Sequence, residues 1–159
     1  MSDSLEDIES AYATARGIRL ERTLGFGREG KVYATSRRTA VKLHQEPEGF
    51  QREFLCYIRL TGSGISTVLG HNVPRLVDAD EELMVLEISI VERPFLLDFG
   101  AARLDSAPDF PAEVMETWEQ EKIEQFGENW PHAAAIIEWM RANMGIYLLD
   151  IHPGNIGFR

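Results

Sequence analysis

The sequence has a single cysteine, Cys56, so no disulfide within the chain can brace it. That fits a reducing cytoplasm, with Cys56 expected as a buried core residue. No uninterrupted apolar run approaches the roughly 20 residues that a membrane-crossing helix needs. The opening residues, MSDSLEDIES, have neither the basic nor the apolar region of a secretory leader. An excess of positive charge is also lacking. The net charge of −10 opposes nonspecific attraction to nucleic acid or anionic lipid, despite basic clusters from Arg16 to Arg22 and at Arg37 and Arg38, so neither partner is expected. His44, His71 and His132 stand too far apart for metal-ligand spacing, and no zinc site is expected. There is no internal repeat and no low-complexity tract. What remains is a chain of 159 residues with the composition of a soluble globular protein, enough for one sizeable core or two small lobes.

Periodicity divides that chain. Ser4 can cap a helix over 4–16, with Leu5, Ile8 and Tyr12 at helical spacing and acids in the first turn. Two strands flank a glycine-rich loop, and Thr39 to Leu43 supply a third after a turn at Arg37 and Arg38, which makes an antiparallel meander. A helix follows over 48–61, with Phe50, Phe54, Tyr57 and Ile58 on one side, and then a Gly/Ser-rich loop from Thr61 to Gly70. Pro74 to Asp78 and Leu83 to Val91 read as two further strands, the second apolar enough to be central. Glu92, Arg93 and Pro94 mark a candidate boundary. Beyond it the pattern predicts a loop and two helices, over 111–126 and 131–144. Val114, Trp118 and Phe126 on the first, and Ile136, Ile137, Met140 and Met144 on the second, read as core stripes.

The stretch LGFGREGKVY, from Leu24 to Tyr33, fits two nucleotide-binding patterns to different degrees. As a P-loop it has Gly25, Gly30 and Lys31, but Val32 stands where a Ser or Thr hydroxyl should bind Mg²⁺. The following residues are β-branched and aromatic, so the loop runs into a strand and not into a helix N-terminus. As Gly25-x-Gly27-x-x-Gly30-x-Val32 it satisfies the glycine-rich hairpin that covers ATP phosphates in kinases. Glycine there permits close approach of backbone N–H groups to phosphate.

Lys42 lies on the next strand, between Val41 and Leu43, and faces opposite to them. An inward ammonium needs an anionic partner, and Glu53 on the following helix is placed to supply one. At the far end, Asp150 and Asn155 in DIHPGN enclose four residues, the Asp-x4-Asn spacing of a kinase catalytic loop. There the aspartate orients or deprotonates the attacking hydroxyl and the asparagine binds Mg²⁺. His152, inside this loop, is a candidate contact to phosphate or substrate.

With these motifs in this order, the chain resembles the protein kinase-like superfamily from about residue 18 to its end. The DIHPGN loop is especially similar to those of small-molecule and atypical kinases, among them aminoglycoside and choline phosphotransferases. The resemblance implies an α+β fold: an antiparallel five-stranded N-lobe sheet with one αC-type helix, followed by a truncated helical C-lobe. The implied domains are an N-terminal helix over 1–17, a kinase-like N-lobe over 18–92 and an abbreviated helical C-lobe over 93–159. It further implies that Gly25, Gly27, Gly30 and Val32 cover the nucleotide and that Glu87 to Ser89 form a hinge whose backbone binds adenine. Lys42, Glu53, Asp150 and Asn155 would converge on ATP·Mg²⁺.

Two departures stand out. Leu148 and Leu149 occupy the places of the histidine and arginine that precede the aspartate in many protein kinases, so control through a phosphorylated activation loop lacks its usual anchor. After Asn155 the sequence reaches Arg159 without the Asp-Phe-Gly and activation segment that would follow in a kinase. Asp98, Phe99 and Gly100 do form such a triplet, but ahead of the catalytic loop. Either it is an apolar segment turning at a glycine, or a rearranged lobe brings Asp98 beside Asn155 to complete the metal site. The expected function is accordingly an ATP·Mg²⁺-dependent phosphotransferase acting on a hydroxyl of a protein Ser/Thr or a small molecule. The alternative is a noncatalytic, pseudokinase-like nucleotide-binding module that completes itself on a protein partner.

Overall fold

The computed structural model describes residues 4–27 and 30–159. The tip of the glycine loop, Arg28 and Glu29, lies outside the described residues. Ser4 accepts a hydrogen bond from the Asp7 N–H at 3.2 Å and starts α1 (Leu5–Arg16), which Gly17 closes in a left-handed conformation at φ 65°. Three strands follow, β1 (Leu20–Gly27), β2 (Gly30–Thr35) and β3 (Thr39–His44). Next come α2 (Pro47–Gly62) and two very short strands, β4 (Thr67–Val68) and β5 (His71–Asn72). Strands β6 (Leu76–Asp80) and β7 (Val85–Ser89) complete a five-stranded sheet in the order β1-β2-β3-β7-β6, antiparallel throughout. The fold is α+β, with the sheet and packed helix expected of a kinase-like N-lobe. Because residues 30–35 run as a strand, the glycine loop does not open into a helix and the P-loop reading fails on geometry.

The second half holds β8 (Phe95–Leu96), β9 (Arg103–Leu104), α3 (Ala112–Phe126), a 3₁₀ turn at Gly127–Asn129, α4 (Trp130–Met144), β10 (Ile146–Tyr147) and β11 (Ile156–Gly157). Four of these strands escape sequence reading, since two residues display no period. Their pairing nevertheless decides the topology of the site. β11 pairs antiparallel with β8, β8 pairs parallel with β5, and β10 pairs antiparallel with β9.

Strand alternation gives the main sheet two unlike faces. Val41, Leu43 and Val85 pack with Tyr12 under α1. The opposite face meets α2, whose Phe50, Tyr57 and Leu60 join Leu86 in a larger core. That core continues without a break through Leu96, Phe99, Ile136, Met140, Ile146, Ile151 and Ile156, across the boundary expected at Glu92 to Pro94. Two expected stripes shift. Ile58 is exposed while Glu53 takes a buried place on α2, and Val114 is exposed while α3 buries Lys122 and Phe126. A hydrophobic stripe read from sequence leaves out a buried charge, so it omits Glu53 on α2 and Lys122, which falls at the same helical spacing as Trp118 and Phe126 on α3. Among the described residues, no helix is long and apolar enough to cross a membrane.

Candidate functional site

A cleft of about 340 Å³ lies beside the sheet, within the size range of small-ligand sites. Leu24, Gly25, Val32, Ala40, Lys42 and the segment Ile88 to Val91 line it from the sheet, Glu53 and Tyr57 from α2, and Leu97, Asp98 and Asn155 from the second half of the chain. Its walls are mostly apolar, with the charged side chains gathered around Lys42.

Lys42 pairs in register with Val32 on one side and Leu86 on the other, and its side chain faces α2. Its Nζ lies 2.8 Å from Glu53 Oε1 and 3.3 Å from Asp98 Oδ1. Glu53 is only 1% exposed. Besides Lys42, its Oε1 meets His44 Nε2 at 2.8 Å and its Oε2 accepts the Phe99 N–H at 2.8 Å. Burial works against the charged carboxylate, yet Lys42 and His44 outweigh it and hold the carboxyl down at about 2. Glu53 is therefore an ionised, saturated anchor joining β3, α2 and the Asp98 to Gly100 segment.

That segment is gripped at several points. Arg52 on α2 donates through Nε to the Gly100 carbonyl at 2.8 Å, and Asp98 Oδ1 accepts the Gly100 N–H at 3.2 Å. Asp98 itself has φ 67°, a left-handed conformation that aspartate tolerates better than most residues. Pairing of β8 with β11 continues past its ends, because the Leu97 N–H donates to the Asn155 carbonyl at 2.8 Å. Asn155 is buried, and its Nδ2 donates to the Asp150 carbonyl at 2.8 Å, while its amide oxygen accepts no hydrogen bond from the described residues. Asp98, Asp150 and Asn155 line a void of about 10 Å³, room for about one water-sized sphere. Asp150 is exposed and borders this void, not the larger cleft.

Other expected site residues fall differently. Ser89 lines the cleft, but Glu87 does not, because alternation along β7 turns its side chain to the α1 face. There the fully buried carboxylate accepts from Tyr12 Oη at 2.8 Å, from Arg37 at 2.5 and 2.6 Å, and from Thr39 Oγ1 at 2.5 Å. Burial opposes its charge, but Arg37, Thr39 and Tyr12 keep its pKa below the usual carboxylate value. The lining segment next to β7 is thus Ile88 to Val91, displaced towards the C-terminus from the expected hinge. Gly25 lines the cleft, whereas Gly27 ends β1 beside the undescribed tip. Gly30 has φ 137°, and a Cβ there would stand 1.6 Å from the Leu43 carbonyl oxygen, so the β2–β3 pairing alone demands glycine. His152 Nδ1 accepts the Gly154 N–H at 3.0 Å and so stabilises the turn of its own loop.

Three contributors were not legible as site residues. His44 supports Glu53, Arg52 holds Gly100, and Lys122 on α3 donates to the carbonyl of Ile151. None carries a motif. Only their spacing from Lys42, Glu53 or Asp150 in the folded chain marks them.

Oxygen donors at this site suit a hard cation such as Mg²⁺: the carboxylates of Asp98 and Asp150 and the amide oxygen of Asn155. Among the described residues no three His, Cys, Asp or Glu side chains form a group able to hold a metal by themselves. A Mg²⁺ ion here would need ligands from a bound phosphate and water, its common habit in nucleotide sites.

No protein-family model matches the chain, and no curated protein matches it. Among solved structures, the gentamicin complex of APH(2")-IIa is similar at a TM-score of 0.49 and 11% identity, and the streptomycin–ATP ternary complex of APH(2")-IIa at 0.46 and 11%. Each alignment covers 97% of this chain and 43% of that chain, so the present chain spans less than half the length of these structures.

Proposed function

We propose that the chain is a kinase-like phosphotransferase that binds ATP·Mg²⁺ and transfers the γ-phosphoryl group to a hydroxyl acceptor. The observation that supports this best is the convergence of Lys42, Glu53, Asp98 and Asn155 on one cleft, with Asp98 delivered by an upstream strand. In this reading the adenine lies along Ile88 to Val91 and under Leu24 and Val32. The Lys42 ammonium meets the phosphates, and Glu53 fixes its position. Asp98 and Asn155 would hold Mg²⁺, which when bound would offset the negative charge of the phosphates. Asp150 receives the proton of the acceptor hydroxyl as its oxygen bonds to the γ-phosphorus. The bond from that phosphorus to the bridging oxygen breaks, and ADP departs.

Rearranged order is no obstacle to this chemistry, because a site depends on where side chains stand and not on their sequence order. Calorimetric titration with ATP, with and without Mg²⁺, followed by measurement of ADP release, tests the proposal. Binding that Mg²⁺ strengthens, followed by turnover with a suitable hydroxyl compound, is the expected result. Absence of nucleotide binding would overturn the reading. Binding that persists without turnover across a broad panel of acceptors would favour the noncatalytic module.

A further inference from the structure

We propose that Lys122 is the positioning residue of the loop that carries Asp150. The inference rests on the phosphotransferase reading above for its catalytic consequence, but its structural content stands separately. Lys122 is an internal residue of α3 and is 9% exposed. Its Nζ donates to the main-chain carbonyl of Ile151, the residue directly after Asp150, and to Gln125 Oε1 at 3.2 Å. The ring of Trp118, one helical turn earlier, lies 5.7 Å from Nζ. No carboxylate among the described residues pairs with this ammonium.

Burying a lysine without a carboxylate is unfavourable unless other groups replace its hydration. Here a carbonyl, an amide oxygen and an aromatic face do so, and the last interaction falls within the usual cation–π range. A leucine or methionine would fill the same space at lower cost. The arrangement makes physical sense if the charge has a task, and the loop supplies one.

Leu148 and Leu149, which precede Asp150, have no polar side-chain group with which to tether it. The loop is instead held at two successive carbonyls by side chains. Asn155 Nδ2 takes that of Asp150, and Lys122 Nζ takes that of Ile151. Since the Asn155 bond comes from within the loop, Lys122 is, among the described residues, the polar side chain that ties it to α3. It fixes where the Asp150 carboxylate stands relative to Asn155. Lys122 touches no reacting atom in this scheme.

Lys122→Met removes the donor and keeps most of the stem, while Lys122→Arg keeps a cation and donors. The expected result for Lys122→Met is a fall of at least tenfold in kcat with the KM and Kd for ATP within about twofold of wild type. Lys122→Arg should recover a substantial part of kcat. Amide exchange in the folded Lys122→Met protein should accelerate at Asn155 and Ile156, whose N–H groups bond within the loop, and remain unchanged in β3 and α2. Wild-type kcat in Lys122→Met, or exchange accelerated uniformly across the chain, would overturn the assignment. If the wild-type protein fails to turn over any acceptor, the phosphotransferase reading falls, while the exchange experiment still decides whether Lys122 anchors the loop.

Discussion

The Leu97 N–H donates to the Asn155 carbonyl at 2.8 Å, and this bond sets the following residue, Asp98, beside Asn155. The two flank strands that meet antiparallel, with Leu96 opposite Ile156 and Phe95 opposite Gly157. Asp98 therefore reaches Asn155 from a segment that precedes the loop in the sequence. Strand pairing satisfies backbone groups in either chain order, so the sheet edge accepts the earlier segment as readily as a later one.

Asp98→Asn should keep the fold, since asparagine also tolerates the left-handed backbone found there. It removes the carboxylate charge that faces Lys42 and the void beside Asn155. We expect ATP affinity without Mg²⁺ to change little and the gain conferred by Mg²⁺ to fall about tenfold, or roughly 1.4 kcal/mol. Titrations at matched ionic strength measure both. An undiminished Mg²⁺ effect removes Asp98 from the metal site.

Lys42→Met should weaken ATP binding by at least about tenfold, again roughly 1.4 kcal/mol. The same change leaves Glu53 Oε1 with His44 alone, so a lower melting temperature should accompany it. Calorimetry on the folded variant separates the two effects. Wild-type affinity in a folded variant would withdraw Lys42 from phosphate binding.

The glycines of the loop should divide by role. Gly30→Ala places a Cβ 1.6 Å from the Leu43 carbonyl oxygen at φ 137°, and nothing flexible can yield there. Loss of the folded state, or destabilisation of several kcal/mol on the order set for buried strain, is expected. A Cβ at Gly25 meets nothing within 4 Å, although Gly25 lines the cleft. Gly25→Ala should therefore unfold at nearly the wild-type denaturant midpoint and differ, if at all, in nucleotide affinity. Equal stability losses in the two variants would contradict this division.

Much of the small sheet was legible because each of its strands is long enough to show alternation, and Ser4 announced the start of α1. Lys42 and Glu53 were legible together because an inward ammonium calls for an acid one helix away. The hinge at Glu87 to Ser89 was implied by the resemblance and concerned the backbone, so it said nothing of the Glu87 side chain, which the period of two sends to Tyr12 and Arg37. The place of Asp98 could be framed from sequence but not decided. It depends on two-residue strands whose pairing is long range, and neither Phe95–Leu96 nor Ile156–Gly157 carries a local signal for its partner. Lys122 was invisible for a related reason, because a lysine on a charged helix reads as solvated until its carbonyl partner is placed.

Acid should destabilise the protein in two stages. His71 is buried, stacked on His132 at 5.1 Å between ring centroids and edge-on to Phe158 at 4.7 Å, and its nitrogens make no well-formed hydrogen bond, with the carbonyls of Leu69 and Gly157 nearby. Burial and then His132 lower its pKa below that of a free imidazole. The unfolded chain thus takes up this proton more readily than the folded one, so the contribution is complete above about pH 6.5 and declines as pH falls below it. Glu53 acts in a lower window. Its folded value of about 2 lies below the ordinary glutamate value, so its contribution is present above about pH 4.3 and is lost as pH falls towards 2. Urea unfolding from pH 7.5 to pH 3 should show stability declining in both windows. His71→Phe, which keeps a ring in the cluster, should flatten the upper decline and leave the lower one. Glu53→Gln should be less stable than wild type at neutral pH, because Lys42 loses the Glu53 carboxylate, and its stability should fall less steeply below about pH 4.3. An upper decline that persists unchanged in His71→Phe would assign that titration to another group and remove His71 as its source.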